Sequence, residues 1–198
     1  GTILKFDTKK LKKKKYWKLN YYPNYKLNMN EIKENIKKKV IKALERNITS
    51  DVPISVLLSG GIDSNIILSV INKIFKQKVH TFSIIDKDKR YDESQLINKS
   101  IKENKVKNTK IYLKKKKMNY IISDLEKYIE YNSKPLYTIT SYISSKLHKL
   151  IKSKGFRVSL TGIGADELFT GYYSHGLHYL AEQKNTKDFK KDLSSWIN

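Results

Sequence analysis

The sequence predicts an α/β protein with a doubly wound parallel sheet, preceded by a short N-terminal β-hairpin. Short apolar runs rich in β-branched residues predict buried strands at residues 54–58, 79–85 and 156–160. Between them lie longer stretches whose apolar residues recur at helical spacing. Strands that alternate with helices in this way form parallel sheets with helices on both faces.

A hairpin, a linker and a helix are expected before the first buried strand. Residues 3–6 and 16–18 can pair as hairpin strands, with the lysines between positions 9 and 15 forming its solvated tip. Residues 21–30 combine a proline with three asparagines and predict a linker. A helix is expected from about 31 to 46. The apolar residues of its buried face are Ile32, Ile36, Val40 and Leu44.

Further helices are expected after each buried strand. A cap at residues 92–94 predicts a helix that ends near Lys105, and residues 110–113 predict a weaker strand. Two more helices are expected around residues 121–129 and 143–151. The helix after the first strand should bury one face, formed by Ile66, Ile67, Val70, Ile71 and Ile74. Gly155 should end the helix before the last strand.

The composition favours a soluble protein, with one domain or one domain plus fragments, over a membrane or nucleic-acid-binding protein. The chain has 198 residues, which is enough for one sizeable core, and no cysteine, which excludes disulfides and a cysteine nucleophile from this segment. Its net charge is +22, yet only Arg46, Arg90 and Arg157 are arginines. Nucleic-acid surfaces favour arginine, so we attribute the lysines to A/T-rich codons. Without a membrane span or a signal peptide in the sequence, a cytoplasmic location is expected.

The most informative segment is residues 59–64, Ser-Gly-Gly-Ile-Asp-Ser, which follows a buried strand and begins a helix. A helix N-terminus offers free N–H groups to an anion, and adjacent glycines let that anion approach. Ser59 and Ser64 add hydroxyl donors, and Asp63 suits a Mg²⁺ ion shared with phosphate oxygens. The segment therefore predicts a site for the phosphates of a nucleotide. The alternative is a Gly-Gly turn that only links strand to helix.

Two motifs carry a resemblance to known families. Residues 59–64 resemble the S-G-G-x-D-S loop of the N-type ATP pyrophosphatases, which cleave ATP between its α and β phosphates. Residues 161–172, Thr-Gly-Ile-Gly-Ala-Asp-Glu-Leu-Phe-Thr-Gly-Tyr, resemble the S-G-E-G-A-D-E-L-F-G-G-Y signature of the asparagine synthetases. Residues 1–17 resemble the end of that family's glutaminase domain, and residues 91–94 its passage from strand to helix. The resemblance implies a Rossmann-like fold of the adenine nucleotide alpha-hydrolase type.

The resemblance also implies a reaction and its cofactors. In this family ATP and Mg²⁺ activate the side-chain carboxylate of aspartate as β-aspartyl-AMP. Ammonia released from glutamine then forms asparagine, and AMP and pyrophosphate are released. Residues 1–28 would be the end of the glutaminase domain with its linker, and residues 29–198 the N-terminal part of the synthetase domain. Aspartate, ATP and the glutaminase domain of the same complete chain are the implied partners, and a homodimer is left open.

The same resemblance assigns roles to individual residues. Asp63 and Asp166 would be catalytic and would hold Mg²⁺. The phosphates would contact Ser59, Gly60, Gly61 and Ser64. Leu58 and Ile84 would lie against the adenine and ribose, largely through their backbone, and Thr161 and Gly162 would contact AMP from the other side. For Asp166 the alternative is a charged helix cap.

The chain departs from the family pattern at Ile163, where the signature has a glutamate that an isoleucine cannot replace chemically. Thr161 replaces a serine but keeps its hydroxyl. The family's catalytic lysine would lie beyond residue 198, so this segment alone is expected to be inactive. Three alternatives stay open: a tRNA-modifying ATP pyrophosphatase of the lysidine-forming type, a β-lactam-forming synthetase, and a nucleotide-binding module without turnover.

Overall fold

The computed structural model describes residues 1–20, 22, 26–113 and 118–197, with the backbone alone at 118 and 119. Part of the predicted linker at 21–30 lies outside these residues. The chain divides into two compact units, residues 1–40 and 41–198, which are described separately. Helix α1, Met29–Asn47, begins in the first unit and ends in the second.

The first unit contains the predicted hairpin, but its second strand lies earlier in the chain than expected. Strand β1, Thr2–Asp7, pairs antiparallel with strand β2, Lys10–Lys15. The lysines expected at the tip therefore form the second strand, and residues 16–18 follow it. Both strands are fully exposed, so lysine side chains can extend into water from either face and cost the strand little.

A parallel four-stranded sheet forms the centre of the second unit. Its strands are β3, Ile54–Leu57; β4, His80–Ile85; β5, Lys107–Tyr112; and β6, Val158–Leu160. Their order is β5-β4-β3-β6, and every neighbouring pair is parallel. The order reverses at β3, because β4 and β5 lie on one side of it and β6 on the other. Ligands of open parallel sheets bind beyond the strand ends at such a point.

The helices connect the strands and continue after the last one. The helices of the second unit that follow α1 are α2, Ile62–Ser69; α3, Ser94–Asn104; α4, Met118–Asn132; α5, Ile139–Ser153; α6, Ala165–Phe169; α7, Tyr173–Gln183; and α8, Phe189–Ile197. A π-helical turn, Val70–Ile74, extends α2. Gly155 adopts φ +85° after α5, the left-handed conformation expected of a glycine that ends a helix. Within the described residues, no helix is long and apolar enough to cross a membrane.

Apolar side chains pack on both faces of the sheet, which confirms the doubly wound fold. On one face, Leu68 and Ile71 after β3 and Ile97 of α3 pack against Val56 and neighbouring strand residues. On the other face, Leu147 and Ile151 of α5 pack against Phe82 of β4. Both clusters are almost completely removed from water, and this burial is the main force that holds helices to a sheet.

The buried face of α2 and its π-helical turn agrees with the prediction at Val70 and Ile71 and differs from it at Ile66 and Ile74. Leu68, Val70 and Ile71 are buried, whereas Ile66 and Ile74 are 43% and 48% exposed. Ser64, Leu68 and Ile71 are spaced four and three residues apart, which places them on one face of a helix. The wider π-helical turn then changes the angular spacing of the residues that follow. A plain helical repeat therefore predicts the wrong position for Ile74.

Candidate active site

A cavity of about 410 Å³ lies beyond the carboxyl ends of β3, β4 and β6. This volume falls within the range of small-molecule sites, about 300–1,000 Å³. Of the predicted site residues, nine line the cavity, and Gly60 alone does not. The nine are Leu58, Ser59, Gly61, Asp63, Ser64, Ile84, Thr161, Gly162 and Asp166.

The loop between β3 and α2 is held in shape by its own two serines. The Ser59 N–H donates to Ser64 Oγ at 3.1 Å, and the two hydroxyl oxygens are 3.0 Å apart. Ser64 Oγ also donates to the Ser59 carbonyl, and Gly61 N–H donates to Ser59 Oγ. Ser64, predicted to point its hydroxyl at a ligand, is buried and satisfied inside the loop. Its hydroxyl stabilises the turn in this structure.

The N-terminus of α2 faces the same cavity. Gly61 is the N-cap residue of this helix, and among the described residues no side chain makes a capping hydrogen bond there. The first N–H groups of a helix have no partner within the helix, and the helix dipole places partial positive charge there. These groups are therefore available to an anion in the cavity.

The second loop, residues 161–164, packs directly on the first. A Cβ added to Gly162 would lie 2.8 Å from Asp63 Cβ and 3.1 Å from the Ser64 nitrogen. Only glycine permits this approach, because real Cβ atoms do not come so close to such neighbours. Gly164 adopts φ +98°, a backbone conformation that would be strained for a residue with a side chain. It leads the chain into α6. The two glycine loops predicted to converge are in contact.

The Asp166 carboxylate lies at the cavity wall, packed closely against a third glycine, Gly171. Asp166 lies in the first turn of α6, and a Cβ on Gly171 would overlap its carboxylate oxygen Oδ1. The chain therefore folds back tightly over this carboxylate. Asp63 and Asp166 line one cavity, although they lie about a hundred residues apart in the sequence.

The structure restricts how Leu58 can contact a ligand. Its side chain is buried in the core, its N–H donates to the Phe82 carbonyl at 2.8 Å, and its own carbonyl accepts from Ser83 Oγ at 2.7 Å. The only backbone group of Leu58 that can still form the predicted contact with adenine is its carbonyl oxygen, through the second lone pair. Ile84 lies further along β4, beyond Phe82, the last residue paired with β3. It is half-buried and reaches the cavity wall.

Gly60 does not line the cavity, and its amide, predicted to contact phosphate, has a partner within the protein. Its N–H donates to Glu93 Oε2 at 2.8 Å. A Cβ at this position would lie 3.0 Å from Glu93 Cβ and 3.1 Å from Leu96 Cβ, both at the start of α3. Glycine is needed at this position because the start of α3 approaches closely. This contact accounts for the glycine without a bound anion.

A hydrogen bond links Glu167 and Tyr172 beside the cavity. Tyr172 Oη donates to Glu167 Oε1 at 2.8 Å, which holds the pKa of the Glu167 carboxyl below its ordinary value. The same bond raises the pKa of the Tyr172 hydroxyl. The ring of Tyr172 packs edge-on against His175, with the ring centroids 5.0 Å apart. Tyr172 therefore lines the cavity with its hydroxyl already engaged.

The donor set of the cavity fits Mg²⁺. This ion is usually held by one or two carboxylates, with substrate phosphates and water completing its octahedral shell. Asp63 and Asp166 supply two carboxylates, and Thr161 adds an exposed hydroxyl. No group of three or more His, Cys, Asp or Glu residues suited to a metal occurs within the described ranges. The site is therefore suited to a metal that arrives with phosphate.

The sequence did not reveal several residues of the cavity wall. Glu93 was expected only to cap a helix, and Tyr172 only to pack. Phe82, Ser144 and Leu147 also line the cavity. A usable signal existed for Glu93, because it follows the carboxyl end of β4 and ligands lie beyond such ends. Ser144 lies in the middle of a helix, and nothing in its sequence pattern marks it.

The sequence of this chain is similar to that of a known family over most of its length. A family model described as asparagine synthase matches residues 35–195. The chain belongs to the asparagine synthase family. The matched range includes both glycine loops.

Individual asparagine synthase relatives agree with this membership. A Methanocaldococcus jannaschii protein assigned as a glutamine-hydrolysing asparagine synthetase is 31% identical over 175 residues, 87% of this chain. A Bacillus subtilis asparagine synthetase is 30% identical over 163 residues, 80% of this chain. An amidase of Gibberella zeae is 25% identical over 185 residues, 84% of this chain.

The chain spans only part of each of these relatives. It covers 33% of the M. jannaschii protein, 24% of the B. subtilis protein and 27% of the G. zeae protein. Among solved structures, the NH3-dependent NAD synthetase of Campylobacter jejuni aligns with a TM-score of 0.42 and 16% identity. That alignment covers 80% of this chain and 87% of the synthetase.

Proposed function

We propose that the complete protein carrying this chain amidates aspartate to asparagine with ATP. Aspartate would first become β-aspartyl-AMP with release of pyrophosphate, and ammonia from glutamine would then displace AMP. The observation that carries the proposal is the packing of Gly162 on Asp63 in a member of the asparagine synthase family. It joins the two loops on one cavity, where a single nucleotide can contact both.

The chemistry needs stabilised negative charge, which the cavity can provide. A side-chain carboxylate oxygen of aspartate attacks the α-phosphorus, and the bond from that phosphorus to the bridging oxygen breaks. Charge then accumulates on the departing pyrophosphate, where donors fixed in advance are most effective. We assign this role to the N–H groups at the start of α2, which face the cavity. Asp63 and Asp166 would hold Mg²⁺, which neutralises phosphate charge when bound.

The remaining features of the proposal follow from the family. Two of the relatives reported above are named as glutamine-hydrolysing, so we assign the ammonia source to a glutaminase domain in the same complete chain. We place the end of that domain and its linker in residues 1–28 and the start of the synthetase domain at residue 29. We also propose a cytoplasmic location, where ATP and both amino acids are present.

A second candidate changes the acceptor acid and keeps the chemistry. Ile163 stands where the family signature has a glutamate, and its side chain is 86% exposed at the cavity wall. An apolar residue there can neither take a proton nor bind an amine through charge. The similarity to an amidase of G. zeae supports an acceptor other than aspartate.

The test is exchange of labelled pyrophosphate into ATP by the complete protein. We expect exchange that depends on aspartate and Mg²⁺, and a loss of at least about a hundredfold in Asp63→Asn and in Asp166→Asn. Asp51→Asn is the matched control, because this exposed carboxylate lies at the opposite end of β3. Exchange driven only by another carboxylic acid would establish the second candidate. ATP binding with no exchange for any acid would overturn both and favour a module without turnover.

A further inference from the structure

The carboxylate of Glu93 crosses from the start of α3 to the loop between β3 and α2. Its Oε2 accepts the Gly60 N–H at 2.8 Å, and the two residues are 33 positions apart in the chain. A hydrogen bond to a charged acceptor is roughly twice as strong as a neutral one. Glu93 also lines the cavity, so it stands between α3 and the candidate phosphate site.

Glu93 is not used to cap its own helix. It precedes α3 immediately, yet its side chain makes no capping hydrogen bond there. That role falls to Asp92, whose Oδ1 accepts the Ser94 N–H at 2.9 Å. The Glu93 side chain is therefore free to act on another element, and the element it contacts is the loop.

The contact is built tightly on both sides. A Cβ on Gly60 would lie 3.0 Å from Glu93 Cβ and 3.1 Å from two atoms of Leu96, so the loop lies directly against the first turn of α3. The Gly60 N–H points at Glu93, while Ser59 and Gly61 on either side of it line the cavity. Because Glu93 holds the middle residue of this stretch, the direction in which its two neighbours face is fixed.

We propose that Glu93 is a positioning residue for nucleotide phosphates, acting through its hydrogen bond to Gly60. The inference rests on the proposed function, because it assigns ATP as the ligand of the loop. The bond fixes the turn before ligand arrives, so the amides at the start of α2 need no reordering on binding. This arrangement has a disadvantage, because it adds a third carboxylate to a cavity that already contains those of Asp63 and Asp166.

The test compares Glu93→Ala with Glu93→Gln in the complete protein. Glutamine keeps an acceptor oxygen for Gly60 N–H and removes the charge, whereas alanine removes both. We expect the Kd for ATP and for inorganic pyrophosphate to rise about tenfold in Glu93→Ala and to stay within about threefold in Glu93→Gln. Adenosine, which lacks phosphates, should bind equally to all forms. Glu103→Ala removes an exposed carboxylate at the far end of α3 and serves as the control.

Amide hydrogen exchange at Gly60 separates this inference from the proposed function. Exchange should accelerate at least about tenfold in Glu93→Ala and stay slow in Glu93→Gln. Unchanged Gly60 exchange in Glu93→Ala overturns the inference. Tighter pyrophosphate binding in both variants also overturns it, because it would show that the Glu93 carboxylate competes with the phosphates. A loss of adenosine binding as large as the loss of ATP binding overturns it as well. Wild-type protein that binds neither ATP nor pyrophosphate overturns the proposed function instead. If Glu93→Ala does not fold, Glu93→Asp, whose carboxylate is one methylene shorter, gives the same comparison.

Discussion

At the scale of single residues, two glycines of the site, Gly60 and Gly162, are explained by contacts with other segments of the protein. The sequence suggested that Gly60 and Gly61 admit an anion to the backbone. The structure gives Gly60 a different reason, since α3 occupies the space that a side chain would need. Gly162 likewise lies against Asp63. Sequence shows where a side chain is absent, but the neighbour that excludes it comes from a distant segment.

The substitution Gly162→Ala tests whether the contact between the loops matters for binding. Its Cβ would lie 2.8 Å from Asp63 Cβ, so one loop must move. We expect a loss of about 1–3 kcal/mol in stability, typical of overpacking, and at least tenfold weaker ATP binding. Urea unfolding and calorimetric titration measure the two effects.

Gly155→Ala is the matched control for that substitution. Gly155 has φ +85° and no atom near its Cβ position, and it lies outside the cavity. Alanine should cost about 1–2 kcal/mol through backbone strain alone and leave ATP affinity unchanged. Equal ATP affinity in the two variants would contradict a role for the contact between the loops.

At the scale of elements, a hydroxyl pair joins the two strands that carry the loops. Ser55 Oγ donates to the Val158 carbonyl at 3.1 Å and lies 2.6 Å from Ser159 Oγ. Strand β6 has only three residues, so these bonds add appreciably to its pairing with β3. Because β6 leads directly into residues 161–164, its register sets the position of Gly162.

Removing this pair should therefore destabilise the sheet and loosen the site. We expect Ser55→Ala to cost about 1–2 kcal/mol, because Ser55 is fully buried and its half-buried partners on β6 lose a hydrogen bond. Ser55→Ala with Ser159→Ala should cost less than the sum of the single changes, which a double-mutant cycle in urea would show. Ser153→Ala, which removes an exposed hydroxyl at the end of α5, is the control. Additive losses would refute coupling between the strands.

Elements were predicted well where burial decides the pattern and poorly where it does not. Strands β3 and β4 are buried and largely apolar, so their positions follow from composition, whereas β5 is half-buried and begins three residues earlier than predicted. The hairpin is exposed on both faces, and its lysine-rich strand has no buried pattern to recognise. The position of Ile74 was predicted wrongly because the π-helical turn shifts residues that a regular repeat places together.

At the scale of the whole molecule, the net charge of +22 is the dominant feature outside the cavity. Such a charge attracts polyanions without reading their sequence, and this attraction falls steeply with salt. The net charge alone does not distinguish an enzyme that amidates a small carboxylic acid from one that modifies tRNA. The distinction must come from whether binding survives at physiological salt and prefers one nucleic acid.

We expect the protein to bind tRNA and poly-U equally and weakly, with affinity falling at least tenfold between 50 and 200 mM salt, the behaviour of nonspecific phosphate contacts. The reason is that lysines, as flexible point charges, supply nearly all of the positive charge, and only three arginines are present for bidentate recognition. Fluorescence anisotropy over a salt series measures both ligands, with poly-U as the control for tRNA. A tRNA affinity that exceeds that of poly-U and persists at 200 mM would instead favour the tRNA-modifying alternative. In that case the lysine-rich surface, and not only the cavity, would take part in substrate recognition.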